Sequence, residues 1–399
     1  MKLKERPGDF KVEEVLREGY LLPAGEHRVY RVTKRKHTSL EAAAVLARLA
    51  GVSPAEVSIA GLKDRQGVTR QYMSVHRGKP VRAREQGLVI EPAGFADREL
   101  TSRESTGNAF QIVVRDLSEA QLDRLRASLA AVREHGLPAY FDEQRFGNLR
   151  HGQGWIALEL VRGRVENALR RLITAVSDHD APRMRNLKSA IHRHWGDWRA
   201  CRDVAGKLGA HHSVFDHLRR HPGDFAGAFR RIATRLRLIH LYAFQSHLWN
   251  RALALHVERS IPPRRRFTVR AREGKLLFPL GGLPVPAAWR GSLPLPGERL
   301  AGVDQPDQQA PFRAVLERLD LAPADLVIQG VPGFQLKPEP RAMIVRPHEL
   351  RARPAEPDPD RPGRRRVRLS FRIPRGTYAT LVVRRLVGPP RLGGESRSG

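Results

Sequence analysis

The sequence Ala60-Gly61-Leu62-Lys63-Asp64-Arg65-Gln66-Gly67-Val68-Thr69-Arg70-Gln71 places an acid, several bases, two glycines and amide side chains in one short connection. Residues 57–60 read as a short apolar strand, and the alternation over residues 71–75 predicts a second strand. Asp64 should therefore project from a loop between two strands, which is a position that catalytic side chains favour. The alternative is a solvated turn without a catalytic role.

The composition predicts a globular protein of a reducing compartment. The chain has 399 residues, of which 41% are hydrophobic, so it can bury a sizeable core and form two or three domains. Its single cysteine, Cys201, excludes an internal disulfide, and Cys201 with His211 and His212 lacks a fourth ligand at a metal-binding spacing. No long apolar run and no apolar signal-peptide core occur, so we expect a cytoplasmic protein.

The charge points to a polyanionic partner. The formal net charge is +29 and the isoelectric point is near 11.3, which makes nucleic acid the leading candidate. Most of the basic residues are arginine, a bias that a GC-rich coding sequence produces without any function. A membrane-surface role would need a basic amphipathic helix, and the sequence offers no convincing one.

The first third of the chain predicts strands and a capped helix. Residues 9–14 and 29–34 alternate apolar with polar side chains, as half-buried strands do. A helix should then cover residues 38–50, because Thr38 and Glu41 form a capping box. The loop that carries Asp64 follows this helix.

Strands are also predicted at both sides of a long middle section. Residues 110–115 alternate as a strand, and Ser118 with Gln121 starts a helix. Near the C-terminus, residues 367–373 alternate again, a turn follows, and residues 378–386 are predicted as the partner strand. We infer one sheet-based domain that is built from both ends of the chain.

The middle of the chain reads as a separate, helical section. From about residue 152 the apolar residues keep a helical spacing, and residues 238–257 predict a long interior helix. A Pro-rich, charged stretch at 353–366 predicts a flexible loop, and residues 393–399 predict disorder. Walker-type phosphate loops and His-Glu-x-x-His zinc helices are absent from the sequence.

Five separated stretches resemble, in order, the TruD family of tRNA pseudouridine synthases. They are Asp9-Phe10-Lys11-Val12-Glu13-Glu14, Gly61-Leu62-Lys63-Asp64-Arg65-Gln66 with Thr69 and Gln71, Gly107-Asn108-Ala109-Phe110, Tyr140-Phe141 with Gln144-Arg145-Phe146-Gly147, and Gly376-Thr377-Tyr378-Ala379-Thr380. The sequence departs from the family pattern at Gly67, where alanine is usual, at Ala139, where asparagine is common, and at Thr106, which replaces a basic residue. These departures bear on substrate range more than on activity.

The resemblance implies an α+β fold and a domain organisation. The fold is a mixed, mainly antiparallel pseudouridine synthase core flanked by helices, with a helix-rich α/β insertion domain. Residues 1–152 and 342–388 would form the catalytic domain, and residues 153–341 would form the insertion. Residues 389–399 would be a disordered tail.

The resemblance also implies an isomerase that converts uridine to pseudouridine in tRNA, at uridine 13 of the D arm, without a cofactor or metal. Asp64 would be the catalytic aspartate. The substrate-binding candidates are Lys4, Phe10, Lys63, Arg65, Gln71, Asn108, Phe110, Arg145 and Tyr378. The alternatives are a non-catalytic RNA-binding protein and a synthase that acts on a different RNA. The sequence leaves the oligomeric state open and is compatible with a monomer.

Overall fold

The structure is a computed structural model that describes residues 1–388 except 64, 66, 152–153, 178–179, 272–273, 290–291 and 332. Asp64 and the predicted tail at 389–399 thus lie outside the described residues. Contacts divide the chain into two compact units. The first unit is Met1–Leu137, Leu280–Gly282 and Val345–Gly399, and the second is Pro138–Pro279 and Leu283–Ile344. The division at residues 152 and 341 that the sequence analysis gives stays a prediction.

The first unit contains a ten-stranded sheet with helices. Its elements up to the second unit are β1 (Phe10–Leu16), β2 (His27–Arg35), α1 (Ser39–Ala50), β3 (Val57–Ile59), β4 (Val68–His76), β5 (Ala83–Glu85), β6 (Leu88–Ala96), β7 (Ser105–Leu117) and α2 (Glu119–His135). The short strand β8 (Leu137–Pro138) follows.

The second unit is rich in helices and adds short strands. Its elements are α3 (Ile156–Val161), α4 (Val165–Thr174), α5 (Pro182–Arg193), α6 (Trp198–Leu208), α7 (His212–Arg220), α8 (Phe225–Arg230), α9 (Thr234–Ser260), β9 (Arg266–Ala271), β10 (Gly274–Pro279), β11 (Leu293–Pro294), α10 (Pro306–Glu317) and β12 (Pro340–Arg341). Helix α9 contains the long interior helix predicted at 238–257, and Phe244, Leu248 and Trp249 are buried on it. No helix in the described ranges is long and apolar enough to cross a membrane.

The chain then returns to the first unit. The strand β13 (Ile344–Val345) spans the boundary, and the last elements of the first unit are β14 (His348–Ala352), β15 (Glu356–Pro357), β16 (Arg365–Pro374) and α11 (Ala379–Val387). The strand order of the sheet is β14-β16-β7-β1-β4-β2-β6-β5, with β15 beside β16 and β3 beside β4. The pair β1/β4 is parallel, and the other strand pairs of this sheet within the described residues are antiparallel. This arrangement confirms the predicted α+β class with a mixed, mainly antiparallel sheet built from both ends of the chain.

One face of the sheet is buried and the other is polar. Register places Val12 opposite Phe110 and Phe110 opposite Phe371, so alternate residues of β1, β7 and β16 share the buried face. Helix α1 covers the β2–β4–β6 part of this face, where its residues Ala42 and Leu46 join the core. The capping box of Thr38 and Glu41 starts α1 as predicted, since each side chain bonds the other residue's backbone N–H.

The prediction of a strand over residues 378–386 is wrong, because residues 379–387 form α11. The run Leu381-Val382-Val383 is apolar and partly β-branched, which suits a strand and a buried helix alike. The neighbouring elements decide which structure forms. Strand β14 already pairs with the edge of β16 that a strand at 378–386 would need, so this segment packs as a helix against α2.

The stretch 353–366 is not the flexible loop that its composition predicts. Asp358 is buried at 4% exposure, and its carboxylate lies 3.3 Å from the guanidinium of Arg115 on β7. Arg115 also makes a two-pronged ion pair with Asp9 at 2.8 and 2.9 Å. These pairs join the start of the chain, β7 and the late loop in one buried cluster, and they raise the pKa of Arg115 well above its ordinary value, mainly through the Asp9 hydrogen bonds.

We predict that Asp358→Asn destabilises the protein at neutral pH and less so in acid. Burial by itself would raise the pKa of the Asp358 carboxyl, but hydrogen bonds from the Asp116 and Asp360 backbone and the charge of Arg115 outweigh it, so the net shift is downward. A lowered folded-state pKa stabilises the fold above the ordinary value of 3.8, and this contribution is lost as the pH falls below it.

Urea unfolding at pH 7 should show the variant about 3 kcal/mol less stable, since removing one partner leaves Arg115 buried and undercompensated. The difference should shrink as the pH falls below about 4, because the Asp358 carboxylate, whose pKa is lowered from 3.8, then takes up its proton. Asp123→Asn is the control, because Asp123 is exposed on α2. A difference in unfolding free energy between variant and wild type that is equal at all pH values would contradict the stabilising role of the Asp358 carboxylate.

Candidate active site

A polar patch lies on the buried face of the sheet, at its centre. Glu14, Lys34 and Gln71 each continue the inward-facing positions of their strands, in phase with Val12, Val32 and Met73 respectively. Register pairs Glu14 with Asn108 across β1 and β7. Glu14, Lys34 and Gln71 are all at most 3% exposed. Such burial is costly for polar side chains unless they are bonded to one another.

Lys63 connects this patch to the loop of Asp64. Its ammonium Nζ lies 2.7 Å from Glu14 Oε1 and donates a hydrogen bond of 2.8 Å to Asn108 Oδ1. The side chains of Lys63 and Glu14 are only 12% and 1% exposed, so this is a buried ion pair. Glu14 Oε2 accepts a further hydrogen bond from the backbone N–H of Tyr72 at 3.0 Å.

The backbone of Lys63 is fixed as well. Its N–H donates to the Ser39 hydroxyl at 2.9 Å, and that hydroxyl donates to Gln71 Oε1 at 2.7 Å. The ammonium of Lys34 donates to the Lys63 carbonyl at 3.2 Å and to the His37 carbonyl at 3.0 Å. Asp64 follows Lys63 in the chain, so the residue before the candidate acid is held by both its backbone and its side chain.

Aromatic rings lie beside the patch. The rings of Phe10 and Phe110 meet edge to face at 5.9 Å, and Phe110 stacks on Phe371 at 5.6 Å. Lys4 Nζ lies 4.3 Å from the centroid of the Phe10 ring. Phe10 and Phe371 are buried, whereas Phe110 is only partly buried. Of the three rings, Phe110 is therefore the one with exposed surface on which another flat group can stack.

Gly67 allows the loop to return closely against β1. A Cβ atom at this position would lie 2.6 Å from the carbonyl oxygen of Phe10 and 3.4 Å from its ring. Any larger residue would push the loop or the Phe10 backbone away. The departure from the alanine of the family pattern therefore has a local steric reason in this chain.

The remaining predicted site residues lie at other places. Arg65 is exposed and donates from Nε to the Lys36 carbonyl at 2.9 Å. Tyr378 is the residue that precedes α11, in the same unit as the patch. Arg145 belongs to the second unit, where its guanidinium lies 5.3 Å from the rings of Phe141 and Tyr242 and bonds Ser246. Of the described candidates, Arg145 alone belongs to the second unit. The first unit holds the others, which are Lys4, Phe10, Lys63, Arg65, Gln71, Asn108, Phe110 and Tyr378.

Sequence reasoning gave no role to Glu14, Lys34 and Ser39. The signal was present, because Glu14 and Lys34 occupy the inward phase of strands whose neighbouring inward residues are apolar. A charged side chain in that phase must find a buried partner. In the described part of the chain no group of three His, Cys, Asp or Glu side chains is placed to hold a metal ion.

Comparisons with known proteins agree with these features. The family model described as tRNA pseudouridine synthase D (TruD) matches residues 1–268 and 289–386. The probable tRNA pseudouridine synthase D of Methanopyrus kandleri is 31% identical over 370 residues, which cover 91% of this chain and 86% of that protein. The tRNA pseudouridine synthase D of Leptospira interrogans is 26% identical over 399 residues, covering 96% and 95%.

A solved structure shares the fold. The putative tRNA pseudouridine synthase D (TruD) of Methanosarcina mazei superposes with a TM-score of 0.72 at 22% identity, covering 97% of this chain and 93% of that one. The family predicted from the five sequence stretches is confirmed by the family model and the relatives together. The chain belongs to the tRNA pseudouridine synthase D (TruD) family, and is accordingly an isomerase.

Proposed function

We propose that this protein isomerises uridine 13 in the D arm of tRNA to pseudouridine, with the carboxylate of Asp64 and without a cofactor. The observation that carries the proposal is the buried contact of Lys63 with Glu14 and Asn108, which ties the residue immediately before Asp64 to the strand that carries the partly open ring of Phe110. The tRNA substrate follows the names of its relatives. The single cysteine and the RNA substrate favour the cytoplasm.

The reaction needs no redox partner. The bond between ribose C1′ and uracil N1 breaks, the base turns, and a bond forms between C1′ and C5. The proton on C5 leaves and N1 gains one, so atoms and electrons balance within the nucleotide. A carboxylate can serve this sequence by attacking the sugar or the base or by accepting a proton, and Asp64 is our candidate for that group.

The uridine must leave its stack to reach the carboxylate. Phe110 offers ring surface for the displaced base, and Asn108 lies two residues before it on β7, on the same face of the sheet. Lys4 brings a positive charge beside Phe10, suited to a phosphate or to the reacting groups. The net charge of +29 supplies the general attraction for tRNA, which should weaken as salt rises.

We predict that Asp64→Asn abolishes pseudouridine formation but preserves tRNA binding. The change keeps size and polarity and removes the charge, so the rate should fall at least about 10³-fold. Affinity should stay within about twofold, because it comes from many phosphate contacts. Mass spectrometry of tRNA incubated with each protein, beside a binding titration, gives both values.

Asp97→Asn is the matched control, since Asp97 is an exposed aspartate of the same unit. Substantial turnover by Asp64→Asn would show that another group performs the chemistry. Absence of turnover by the wild-type protein would favour the alternative of a non-catalytic RNA-binding protein.

We predict that Phe110→Leu slows the reaction more than Phe371→Leu does. Both changes replace a flat ring by an apolar side chain, but only Phe110 is partly exposed, so only Phe110 can stack on a displaced base. Loss of base stacking is worth about 1–3 kcal/mol, which corresponds to a loss of about 5- to 150-fold in kcat/KM. Thermal unfolding of both variants measures their packing defects separately, and equal kinetic losses would count against the stacking role.

We predict that a tRNA transcript with cytidine in place of uridine 13 yields no pseudouridine, whereas the unchanged transcript yields one. The readout is mass-spectrometric mapping of the modified position. Pseudouridine at another position of both transcripts would reject uridine 13 and leave the chemistry standing. Modification of another RNA class, with both tRNAs untouched, would favour the alternative substrate.

A further inference from the structure

We propose that Glu14 and Lys63 form a positioning pair that orients the Asn108 side chain so that its amide N–H groups, rather than its oxygen, face the uridine. The inference deepens the proposed function and rests on it. It makes Asn108 a hydrogen-bond donor toward the substrate, and it identifies Glu14 and Lys63 as positioning residues that act through Asn108.

The chemistry of the contact sets the orientation. A lysine ammonium has three donors and no acceptor, so the atom of an asparagine amide that faces it must be the oxygen. Lys63 Nζ lies 2.8 Å from Asn108 Oδ1. The amide nitrogen therefore points away from Lys63, and no described residue accepts a hydrogen bond from it. Asn108 offers a donor where a substrate oxygen can meet it.

The pair is rigid before any substrate arrives. Glu14 and Asn108 stand directly opposite each other on β1 and β7, so the sheet fixes the distance between their Cβ atoms. The Glu14 carboxylate is held on its other oxygen by the N–H of Tyr72. Lys63 is held at its backbone by Ser39 and Lys34. Lys63, which bonds the amide, and Glu14, which bonds Lys63, are thus each fixed by other parts of the chain.

A fixed donor matters for the choice of base. Uracil presents two carbonyl oxygens, whereas cytosine presents an amino group in place of one of them. The ribose oxygens are the other acceptors on the nucleotide. Because Lys63 prevents the amide from flipping, Asn108 cannot present its oxygen to the substrate in place of its N–H groups. An N–H donor bonds a carbonyl oxygen but not an amino group, and a mismatched buried pair leaves both groups unbonded.

The decisive experiment is a double-mutant cycle between Lys63→Met and Asn108→Ala in single-turnover assays on tRNA. Lys63→Met keeps the length of the side chain and removes the donor. It should slow the chemical step about 10–100-fold, since a freed amide is misplaced, while the tRNA dissociation constant changes less than about threefold. The double variant should be no slower than Asn108→Ala, within about threefold, because Lys63 acts through Asn108.

Two further variants guard the interpretation. Glu14→Gln with Lys63→Met removes both charges together, so it avoids an unpaired buried carboxylate and should give the same kinetic loss even where Lys63→Met folds poorly. Asn108→Asp keeps the acceptor for Lys63 but lacks the donor, and it should be as slow as Asn108→Ala.

The outcomes separate the two proposals. Three results would overturn the positioning pair. The first is a double variant whose rate loss equals the product of the two single losses. The others are a Lys63→Met protein with the wild-type rate and an Asn108→Asp protein that remains active. A wild-type protein that forms no pseudouridine in tRNA would instead reject the proposed function.

Discussion

The buried ion pair of Lys63 and Glu14 is the interaction on which the candidate site depends. Both charges are taken almost entirely out of water, so removing one partner leaves the other buried without its opposite charge. Removing one member of such a pair typically costs about 3–5 kcal/mol. The pair therefore acts as a clamp between β1 and the loop that begins at Lys63, and through Asn108 it reaches β7. Three separate parts of the chain meet at one ammonium group.

The sheet makes this meeting possible. Strand β1 lies between β4, which follows the loop of Asp64, and β7, which carries Asn108 and Phe110. Because side chains alternate across a strand, a one-residue slip of β1 against β7 would turn Glu14 to the polar face and separate it from Lys63. The apolar inward residues Phe10 and Val12 oppose that slip. The register that buries the core is thus the register that assembles the site.

Local patterns predicted the parts of this fold that are decided locally. The capping boxes of α1 and α2 and the alternation of β16 need only neighbouring residues, and they occur as the sequence indicates. The helix at 379–387 and the ordered loop at 353–366 are decided by distant partners: an already paired β16 edge, and the Arg115 cluster with Asp9. The contacts of Glu14 and Lys34 likewise require the pairing of strands far apart in sequence. The alternation of each strand does, however, predict that these two side chains point toward the buried face.

Two of the buried charged clusters in the described part of the first unit differ in how completely their partners satisfy them, which makes one structural and the other suited to chemistry. At Arg115 the guanidinium meets Asp9, Asp358 and Asp360, so its donors are spent on carboxylates of the protein. That cluster is closed, and its physical effect is to tie chain segments together. At Lys63 the network leaves one donor group unused. The Asn108 oxygen accepts a hydrogen bond from Lys63, but no described residue accepts one from the Asn108 amide nitrogen. A partly open Phe110 ring lies two residues further along the same strand face. Asn108 is only partly buried, so its amide nitrogen keeps a donor that a substrate oxygen can use, whereas the donors of Arg115 are already bonded to carboxylates of the protein.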